Sequence, residues 1–444
     1  MIDTLEALTA LMRQGGAERI YAKKLAPNDN SKNQVYLGGD FSVLNIIPHG
    51  SVETDISDTA GSVRDRAKAS VKFRWIDEEG HYAAPYTQLI LYPKYPEVRM
   101  SGFLKGCRNA PSSVMGVRDV GRVLFLGVTH NGCVLGYAAA ANSPLANAVH
   151  ELKSIESVGV FVQIPVRTEF GNTRSQLLEK LGAIYSKHWI LSKKLGADGI
   201  ARDYAARNGG GYTLEAELGI APNGYSEPDF LGWEVKQYGV RDFKNYRPLS
   251  PVTLFTPEPT GGFYREKGVE EFVLKFGYPD KNGKAGRLNF GGVYSSVKSY
   301  HADTGLQLRL TGYDFESGKI TDFNQGIVLL DKQEEIAALW QYTEILSHWN
   351  RKHAQAVYVP SLFKNPPPQY RYGPSVQLCE RTDLTLFLKA VAMGVVYYDP
   401  AIKLESDDAG RVSIKRRSQF RIKHDNLEKM YHETEWVQLV LQGS

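Results

Sequence analysis

The chain has 444 residues and a mass of 49.5 kDa, which is long enough for two or three domains. Hydrophobic residues make up 42% and charged residues 23% of it, which excludes disorder over the whole length, and no apolar run reaches the roughly 18 residues of a membrane span. With 53 basic and 49 acidic residues the formal net charge is +4, so charge alone identifies no nucleic-acid partner. Three scattered cysteines, Cys107, Cys133 and Cys379, lack the spacing of a zinc site or a disulfide scaffold and predict a cytoplasmic location.

The first part of the chain, residues 1–166, predicts a β-rich domain. Asn131 and Gly132 separate two apolar runs, which is the pattern of a β-hairpin. Residues 69–75 alternate between apolar and polar side chains and predict one half-buried strand. Basic residues precede or enter this strand, namely Arg64, Arg66, Lys68, Lys72 and Arg74. They either meet DNA or form a solvated face.

From residue 167 onward, helical and strand patterns alternate, which predicts a mixed α/β region. Apolar residues recur at helical spacing at 173–195, 212–219, 333–349 and 382–393, most clearly at 333–349. The glycines at 209–211 separate the first two of these predicted helices. Short apolar runs at 231–238 and 356–359 predict strands. The prolines at 366–368 place residues 366–374 in a loop.

One group of charged residues indicates chemistry: Asp229, then Glu234 after four residues, then Lys236 after one more. On a strand, Glu234 and Lys236 share one face, while Trp233 and Val235 point to the other face and enter a core. A bend at the entry to the strand brings the Asp229 carboxylate beside Glu234. Two carboxylates suit Mg²⁺, and a lysine beside them offsets charge on a phosphate during phosphodiester hydrolysis.

The same pattern has an ordinary alternative, because Glu-x-Lys pairs are common on solvated strands. The apolar residues around it favour a packed strand instead. A further acid, Glu215, lies in a helix that ends at Gly219. Glu215 is either an exposed helix glutamate or a third acid that supports a metal site.

These residues also resemble a known family. The segments 211–219 and 228–237 resemble the MvaI/BcnI family of restriction endonucleases and, more distantly, the mismatch-repair nicking enzyme MutH. The matching positions are Leu214-Glu215, Leu218-Gly219, Asn223-Gly224, Asp229 and Gly232-Trp-Glu-Val-Lys236. The resemblance covers about residues 170–404. It implies an α/β (α+β) PD-(D/E)xK nuclease core in which Asp229 and Glu234 hold Mg²⁺, with Mn²⁺ as a substitute, Lys236 is the catalytic lysine, and Glu215 supports them.

The resemblance further implies a catalytic lobe at 167–300 and a DNA-recognition lobe at 301–444, and leaves the 1–166 domain as an addition. That domain is expected to read DNA or a modified base, or to serve oligomerisation. Candidate DNA contacts are Arg371 and Tyr372 in the proline-rich loop and the basic run Lys415, Arg416 and Arg417. The expected function is that of a Mg²⁺-dependent endonuclease of restriction type, which hydrolyses phosphodiester bonds at a specific site in double-stranded DNA. The protein is expected to be a cytoplasmic monomer without a membrane partner. A repair-type nicking enzyme and a DNA-binding module with vestigial activity remain alternatives.

Overall fold

The computed structural model describes residues 2–39, 41–55, 66–92, 97–152, 157–164, 173–206, 208–220, 229–353, 355–406 and 411–440. The chain forms two compact units. Unit 1 comprises Met1–Thr168 and Lys319–Asn324, and unit 2 comprises Glu169–Gly318 and Gln325–Ser444. No helix in the described ranges is long and apolar enough to cross a membrane.

Short strands dominate the chain up to residue 168. They are β1 (Ala17–Lys24), β2 (Val35–Gly38), β3 (Val52–Thr54), β4 (Ala67–Ser70), β5 (Lys72–Ile76), β6 (His81–Ala83), β7 (Gln88–Tyr92), β8 (Glu97–Ser101), β9 (Val123–Thr129), β10 (Cys133–Ala139), β11 (Ser157–Val158) and β12 (Phe161–Ile164). The helices are α1 (Leu5–Gln14), α2 (Ser112–Met115) and α3 (Pro144–Glu151), with a 3₁₀ helix at Phe41–Asn45.

Unit 1 contains two sheets. A seven-stranded sheet has the order β11-β12-β1-β9-β10-β5-β6, and a five-stranded sheet has the order β2-β8-β7-β4-β3. Helices α1 and α3 pack on the first sheet, since Leu8 and Met12 share a buried core with Leu145 and Val149. Burial of such apolar faces is what stabilises a sheet of this kind.

The β-hairpin predicted around Asn131 and Gly132 is confirmed, because β9 and β10 pair antiparallel and Gly132 has a φ of 74°. The single strand predicted at 69–75 is wrong. The segment divides at Val71 into β4, which belongs to the five-stranded sheet, and β5, which belongs to the seven-stranded sheet. The backbone N–H of Val71 donates to the Thr87 carbonyl, so the alternating pattern continues while the hydrogen-bonding partner changes.

Later in the chain, strands and helices alternate. The strands are β13 (Ile190–Leu191), β14 (Lys193–Leu195), β15 (Ala201–Asp203), β16 (Glu234–Gly239), β17 (Val252–Phe255), β18 (Tyr278–Pro279), β19 (Arg287–Gly291), β20 (Gln307–Leu310), β21 (Tyr313–Asp314), β22 (Lys319–Ile320), β23 (Gly326–Leu330), β24 (Ile336–Gln341), β25 (Gln355–Lys364), β26 (Gln369–Tyr372), β27 (Ser375–Glu380), β28 (Val396–Tyr398), β29 (Ala401–Ser406), β30 (Val412–Lys415), β31 (Phe420–Ile422) and β32 (Glu433–Gln438). The helices are α4 (Thr173–Ser186), α5 (Gly209–Glu217), α6 (Phe263–Phe276), α7 (Tyr342–His353) and α8 (Leu384–Ala392), with a 3₁₀ helix at His424–Met430.

The sheet that carries the candidate site is built around β25. Strand β16 pairs with it in parallel, β26 and β27 pair with it antiparallel, and β13 and β32 extend the sheet beyond β26 and β27. One face packs against α4 and α5 through a core that includes Leu177, Leu214, Trp233, Val357 and Tyr370. The sheet joins strands from both sides of residue 300, so the predicted boundary between catalytic and recognition lobes at that residue does not separate two sheets.

Four local predictions after residue 167 have different outcomes. The helix at 382–393 is confirmed as α8, whose first turn is capped by the Asp383 carboxylate, and the strand at 356–359 is confirmed within β25. The helical pattern at 189–195 is wrong, because this stretch forms β13 and β14. The loop at 366–374 is also wrong in part, because it contains β26.

The helix predicted at 333–349 is half correct. Its second half is α7, but its first half is β24, which pairs antiparallel with the fully buried β23. The Asp331 carboxylate accepts the backbone N–H groups of Gln333 and Glu335 at 2.9 Å, and Glu334 has a φ of 63°. These bonds form a turn, and pairing with β23 overrides the helical spacing that follows it.

Candidate active site

A tight turn brings Asp229 next to the strand that carries Glu234 and Lys236. Phe230 and Trp233 exchange backbone hydrogen bonds of 2.9 and 2.8 Å around the two turn residues. Leu231 and Gly232 have φ values of 49° and 87°, the left-handed pair that a two-residue hairpin turn requires. The Asp229 carboxylate then accepts the backbone N–H of Val235 at 2.9 Å.

This strand, β16, presents its two sides to different environments. Trp233 and Val235 are buried in the core beneath α4 and α5, as the alternation predicted. Glu234 and Lys236 point to the opposite face, where the Lys236 ammonium donates to a Glu234 carboxylate oxygen at 2.5 Å. The Glu234 side chain is only 1% exposed and that of Lys236 is 25% exposed. The pair is therefore held in place while the lysine keeps access to solvent.

Acidic side chains outnumber the basic one around Glu234 and Lys236. Burial of the Lys236 ammonium acts to lower its pKa, but the carboxylates of Glu234, Asp229 and Glu215 act more strongly and raise it. The pKa of Glu215 is also raised, first by burial and then by the Asp229 carboxylate, against the opposing effect of Lys236. Glu234 bonds Lys236 directly, and the negative charges of Asp229 and Glu215 also act on it, so negative charge is in excess here and attracts a cation.

Helix α5 brings Glu215 to this group because its glycines allow a close approach to the sheet. A Cβ atom on Gly210 would lie 2.7 Å from Oε1 of Gln237, which is the next residue after Lys236. The Gln237 amide is itself fixed, since it donates to the Ser361 hydroxyl at 2.7 Å. The glycines at 209–211, predicted to interrupt the helical series, therefore begin α5 and set its distance from β16.

The other glutamate of α5, Glu217, forms ion pairs with two lysines. The Glu217 carboxylate accepts Lys187 at 2.6 Å and Lys193 at 2.5 Å, and its side chain is 4% exposed. Burial opposes the ionisation of Glu217, but the two lysines overcome it and lower its pKa. Glu217 is thus held by two ion pairs, whereas the charges of Asp229 and Glu234 oppose the ionisation of Glu215.

The acids fit a magnesium ion. Within the ranges that the structure describes, no group of three or more His, Cys, Asp and Glu side chains is arranged to hold a metal. Magnesium does not need such a group, because it usually takes one or two carboxylates and completes its shell with water and substrate phosphate. Asp229 and Glu234 supply two hard oxygen donors, and the negative excess around Lys236 favours a divalent cation.

Two of the predicted DNA contacts lie on β26 and face opposite sides of the sheet. Tyr372 is 1% exposed, and its hydroxyl donates to the Gly210 carbonyl at 2.7 Å. Its ring therefore holds α5 against the sheet and is not accessible to DNA in this structure. Arg371 points to the other face and is half-buried, and its Nε atom has no hydrogen-bond partner among the described residues.

The basic run near the C-terminus lies at the end of a hairpin. Lys415, Arg416 and Arg417 are all exposed, and Lys415 ends β30, which pairs with β29. Lys403 of β29 lies directly opposite Lys415, and like charges in such a position repel each other unless an anion lies between them. Lys403 was not among the residues predicted from the sequence, although the alternation of apolar and polar residues at 401–406 is typical of a strand.

The basic residues predicted in unit 1 divide into two groups. Arg66 and Lys68 form ion pairs with the Asp55 carboxylate. Lys72 and Arg74 are exposed on one face of β5. Arg64 lies outside the described residues, as do Asn223 and Gly224 of the family-like pattern.

Residues 178–431 match the model of the MvaI/BcnI restriction endonuclease family. The chain is similar to a solved complex of restriction endonuclease MvaI with cognate DNA substrate, at 17% identity and a TM-score of 0.44, over 61% of this chain and 100% of that one. It is also similar to MvaI in the absence of DNA, at 16% identity and a TM-score of 0.33, over 62% and 100%. No curated protein matches it.

The family match spans more than half of the chain and includes Glu215, Asp229, Glu234 and Lys236. The protein is a restriction-type endonuclease, a DNA-binding hydrolase. It belongs to the MvaI/BcnI restriction endonuclease family, and the resemblance found in its sequence is confirmed.

Proposed function

We propose that this protein is a Mg²⁺-dependent endonuclease that cuts double-stranded DNA at a specific site, with a PD-(D/E)xK centre formed by Asp229, Glu234, Lys236 and Glu215. The observation that carries the proposal is the grouping of these residues. The turn at 231–232 and the close approach of α5 bring three acids to one lysine, and the lysine is partly exposed. Family membership supports DNA as the substrate.

Each residue has a distinct role in this proposal. Asp229 and Glu234 would hold Mg²⁺, which when bound polarises a phosphate oxygen and lowers the pKa of a water ligand. Lys236 orients the attacking water and offsets charge that develops on the phosphate. Glu215 adds negative charge beside the two metal ligands and thereby favours the cation. Mn²⁺, which accepts the same oxygen ligands, is expected to substitute for Mg²⁺.

The remaining parts of the chain serve binding. Arg371 and the exposed basic residues Lys415, Arg416 and Arg417 contact DNA, and Lys403 joins them because it lies opposite Lys415. Tyr372 does not belong to these DNA contacts because it is buried. We assign the nuclease core to the sheet around β25 with α4 and α5, and the reading of DNA or of a modified base to unit 1. The protein acts as a monomer in the cytoplasm, which suits three free cysteines.

Plasmid cleavage tests the proposal. The purified protein should linearise plasmids that contain its site when Mg²⁺ or Mn²⁺ is present, and should bind without cutting when Ca²⁺ replaces them. EDTA should abolish cleavage. The Glu234→Ala variant, purified in parallel, controls for contaminating nucleases.

The products also separate the alternatives. Nicked circles as the final product would favour a nicking enzyme, and retention of DNA without cleavage would favour a vestigial site. Full cleavage in excess chelator would refute the metal-dependent mechanism.

A further inference from the structure

Three lysines lie close to α5, and they differ in their partners. Lys187 and Lys193 both pair with the Glu217 carboxylate. Lys194 has no carboxylate within 4.0 Å of its ammonium among the described residues. An ammonium that is fixed in place without an anionic partner is a ready site for an external anion.

Two aromatic rings fix the position of Lys194. Its Nζ atom lies 4.4 Å from the ring centroid of Tyr212 and 5.9 Å from that of Tyr204. The two rings meet edge to face at 5.1 Å, and the Tyr204 hydroxyl donates to Asn208 at 3.0 Å. Attraction between a cation and these ring faces restricts the side chain in advance, which lowers the entropic cost of binding an anion.

The backbone around Lys194 is fixed to the helix that carries Glu215. The backbone N–H of Lys193 donates to the Thr213 hydroxyl oxygen at 3.0 Å, and Thr213 is fully buried. Tyr212 and Glu215 are three residues apart on α5 and so share one side of it. The contact with Tyr212 therefore puts the Lys194 ammonium on the side of α5 that carries Glu215, and Lys194 is the last of the charges that act on the pKa of Glu215.

We propose that Lys194, held by Tyr204 and Tyr212, binds a phosphate of the DNA strand next to the candidate active site. This inference rests on the proposed function, because it assigns a phosphate contact to the same site. The phosphate neighbouring the cleaved one carries a full negative charge and is pushed away by the acids at Asp229 and Glu234. A fixed ammonium on the side of α5 that carries Glu215 offsets that repulsion.

The chain provides a matched control at Lys275. This ammonium also lies over two rings, 4.6 Å from the centroid of Phe263 and 4.9 Å from that of Phe276. It differs in having a carboxylate partner, Glu335, at 3.8 Å. Loss of Lys275 removes the same kind of aromatic contact without removing an unpaired cation.

The test measures binding of a random-sequence 30-base-pair duplex in Ca²⁺ over a range of salt concentrations, and cleavage of plasmid in Mg²⁺. Lys194→Met should weaken binding about tenfold at low salt and reduce the slope of log affinity against log salt by about 0.9. The KM for cleavage should rise while kcat stays unchanged. Lys194→Arg should restore binding, and Lys275→Met should bind as the wild type does.

Several outcomes would overturn the inference. Unchanged affinity and slope in a folded Lys194→Met protein would show that no phosphate contacts this residue. A fall in kcat with unchanged binding would assign Lys194 to the chemical step instead. If either of these two results is obtained while the wild-type protein cleaves DNA, the proposed function stands and this inference fails. A wild-type protein that neither binds nor cleaves DNA would overturn both.

Discussion

Glu215 and Glu217 stand two residues apart on α5, and their surroundings give them opposite shifts in pKa. Burial and the Asp229 carboxylate raise the pKa of Glu215. Burial also acts on Glu217, but its bonds to Lys187 and Lys193 lower its pKa. The negative charge of Glu215 is therefore unfavourable for folding, and that of Glu217 is favourable. Acids with a raised pKa occur often at functional sites, whereas acids with a lowered pKa are typical of structural ion pairs.

These shifts predict opposite stability changes on neutralisation. Because the folded-state pKa of Glu215 is raised, its ionised form destabilises the folded protein as pH rises through that pKa, so Glu215→Gln should raise Tm at neutral pH. The folded-state pKa of Glu217 is lowered, so its contribution is present at neutral pH and is lost as pH falls through that pKa. Glu217→Gln should lower Tm at pH 7. Both differences should shrink in acid, as measured by thermal unfolding between pH 3.5 and 8.

Asp229 and Lys236 are each expected to be essential for cleavage. Asp229→Ala and Lys236→Ala should reduce the plasmid cleavage rate at least about 10³-fold, since each removes several kcal/mol of transition-state stabilisation. DNA binding in Ca²⁺ should remain, because neither residue is placed to contact bases. Circular dichroism checks folding, as the Asp229 carboxylate also accepts the Val235 N–H. Cleavage at the wild-type rate in either variant would refute these assignments.

Among the helices and strands, the sequence predicted the strand of the candidate site more accurately than the sheet pairing and packing around it. Alternation at Trp233 and Val235 correctly predicted a packed strand, because burial of one strand face depends on local spacing. Local spacing could not reveal that Ile336–Gln341 pairs with β23, or that 69–75 changes sheets at Val71, since both depend on residues distant in the chain. The burial of Tyr372 was equally hidden, because it depends on the approach of α5.

Two neighbouring glycines of α5 differ in the space around them. A Cβ on Gly211 would meet no atom within 4 Å, whereas one on Gly210 would lie 2.8 Å from Cδ of Gln237. Gly211→Ala should therefore stabilise the protein by about 0.5 kcal/mol through helix propensity. Gly210→Ala should destabilise it by about 1–3 kcal/mol through overpacking and slow cleavage, because it moves Glu215 away from β16. Denaturant unfolding and plasmid cleavage measure both effects, and equal behaviour of the two variants would contradict this account.

Unit 1 includes a segment from far along the chain. Lys319–Asn324 belongs to it although unit 2 supplies the residues on either side. Phe323 is fully buried, and its ring lies 5.8 Å from that of Phe41 in the 3₁₀ helix of unit 1. Deletion of residues 1–165, the simplest test of the N-terminal region, would expose this phenylalanine.

Substitution of Phe323 is therefore the better probe. Phe323→Ala should cost about 3–5 kcal/mol by leaving a cavity and should lower the unfolding temperature of unit 1. Cleavage below that temperature should keep its rate, because the acids and Lys236 belong to unit 2. Phe315→Ala, at a side chain that is 60% exposed, is the control and should change neither property. A joint loss of stability and of cleavage well below the transition would show that the catalytic centre depends on unit 1.

The position of Lys319–Asn324 also has a consequence for how the protein is made. During synthesis the N-terminal 168 residues leave the ribosome first, yet their unit is incomplete until residue 324 has followed. At about 5–20 residues per second, the intervening 150 residues of Glu169–Gly318 take on the order of ten seconds to translate. During that time the surface that receives Phe323 is uncovered. A gene fusion with a single crossover near residue 168 would combine this surface with the 319–324 segment of another relative, so exchange of the whole N-terminal unit requires three crossovers, after residues 168, 318 and 324.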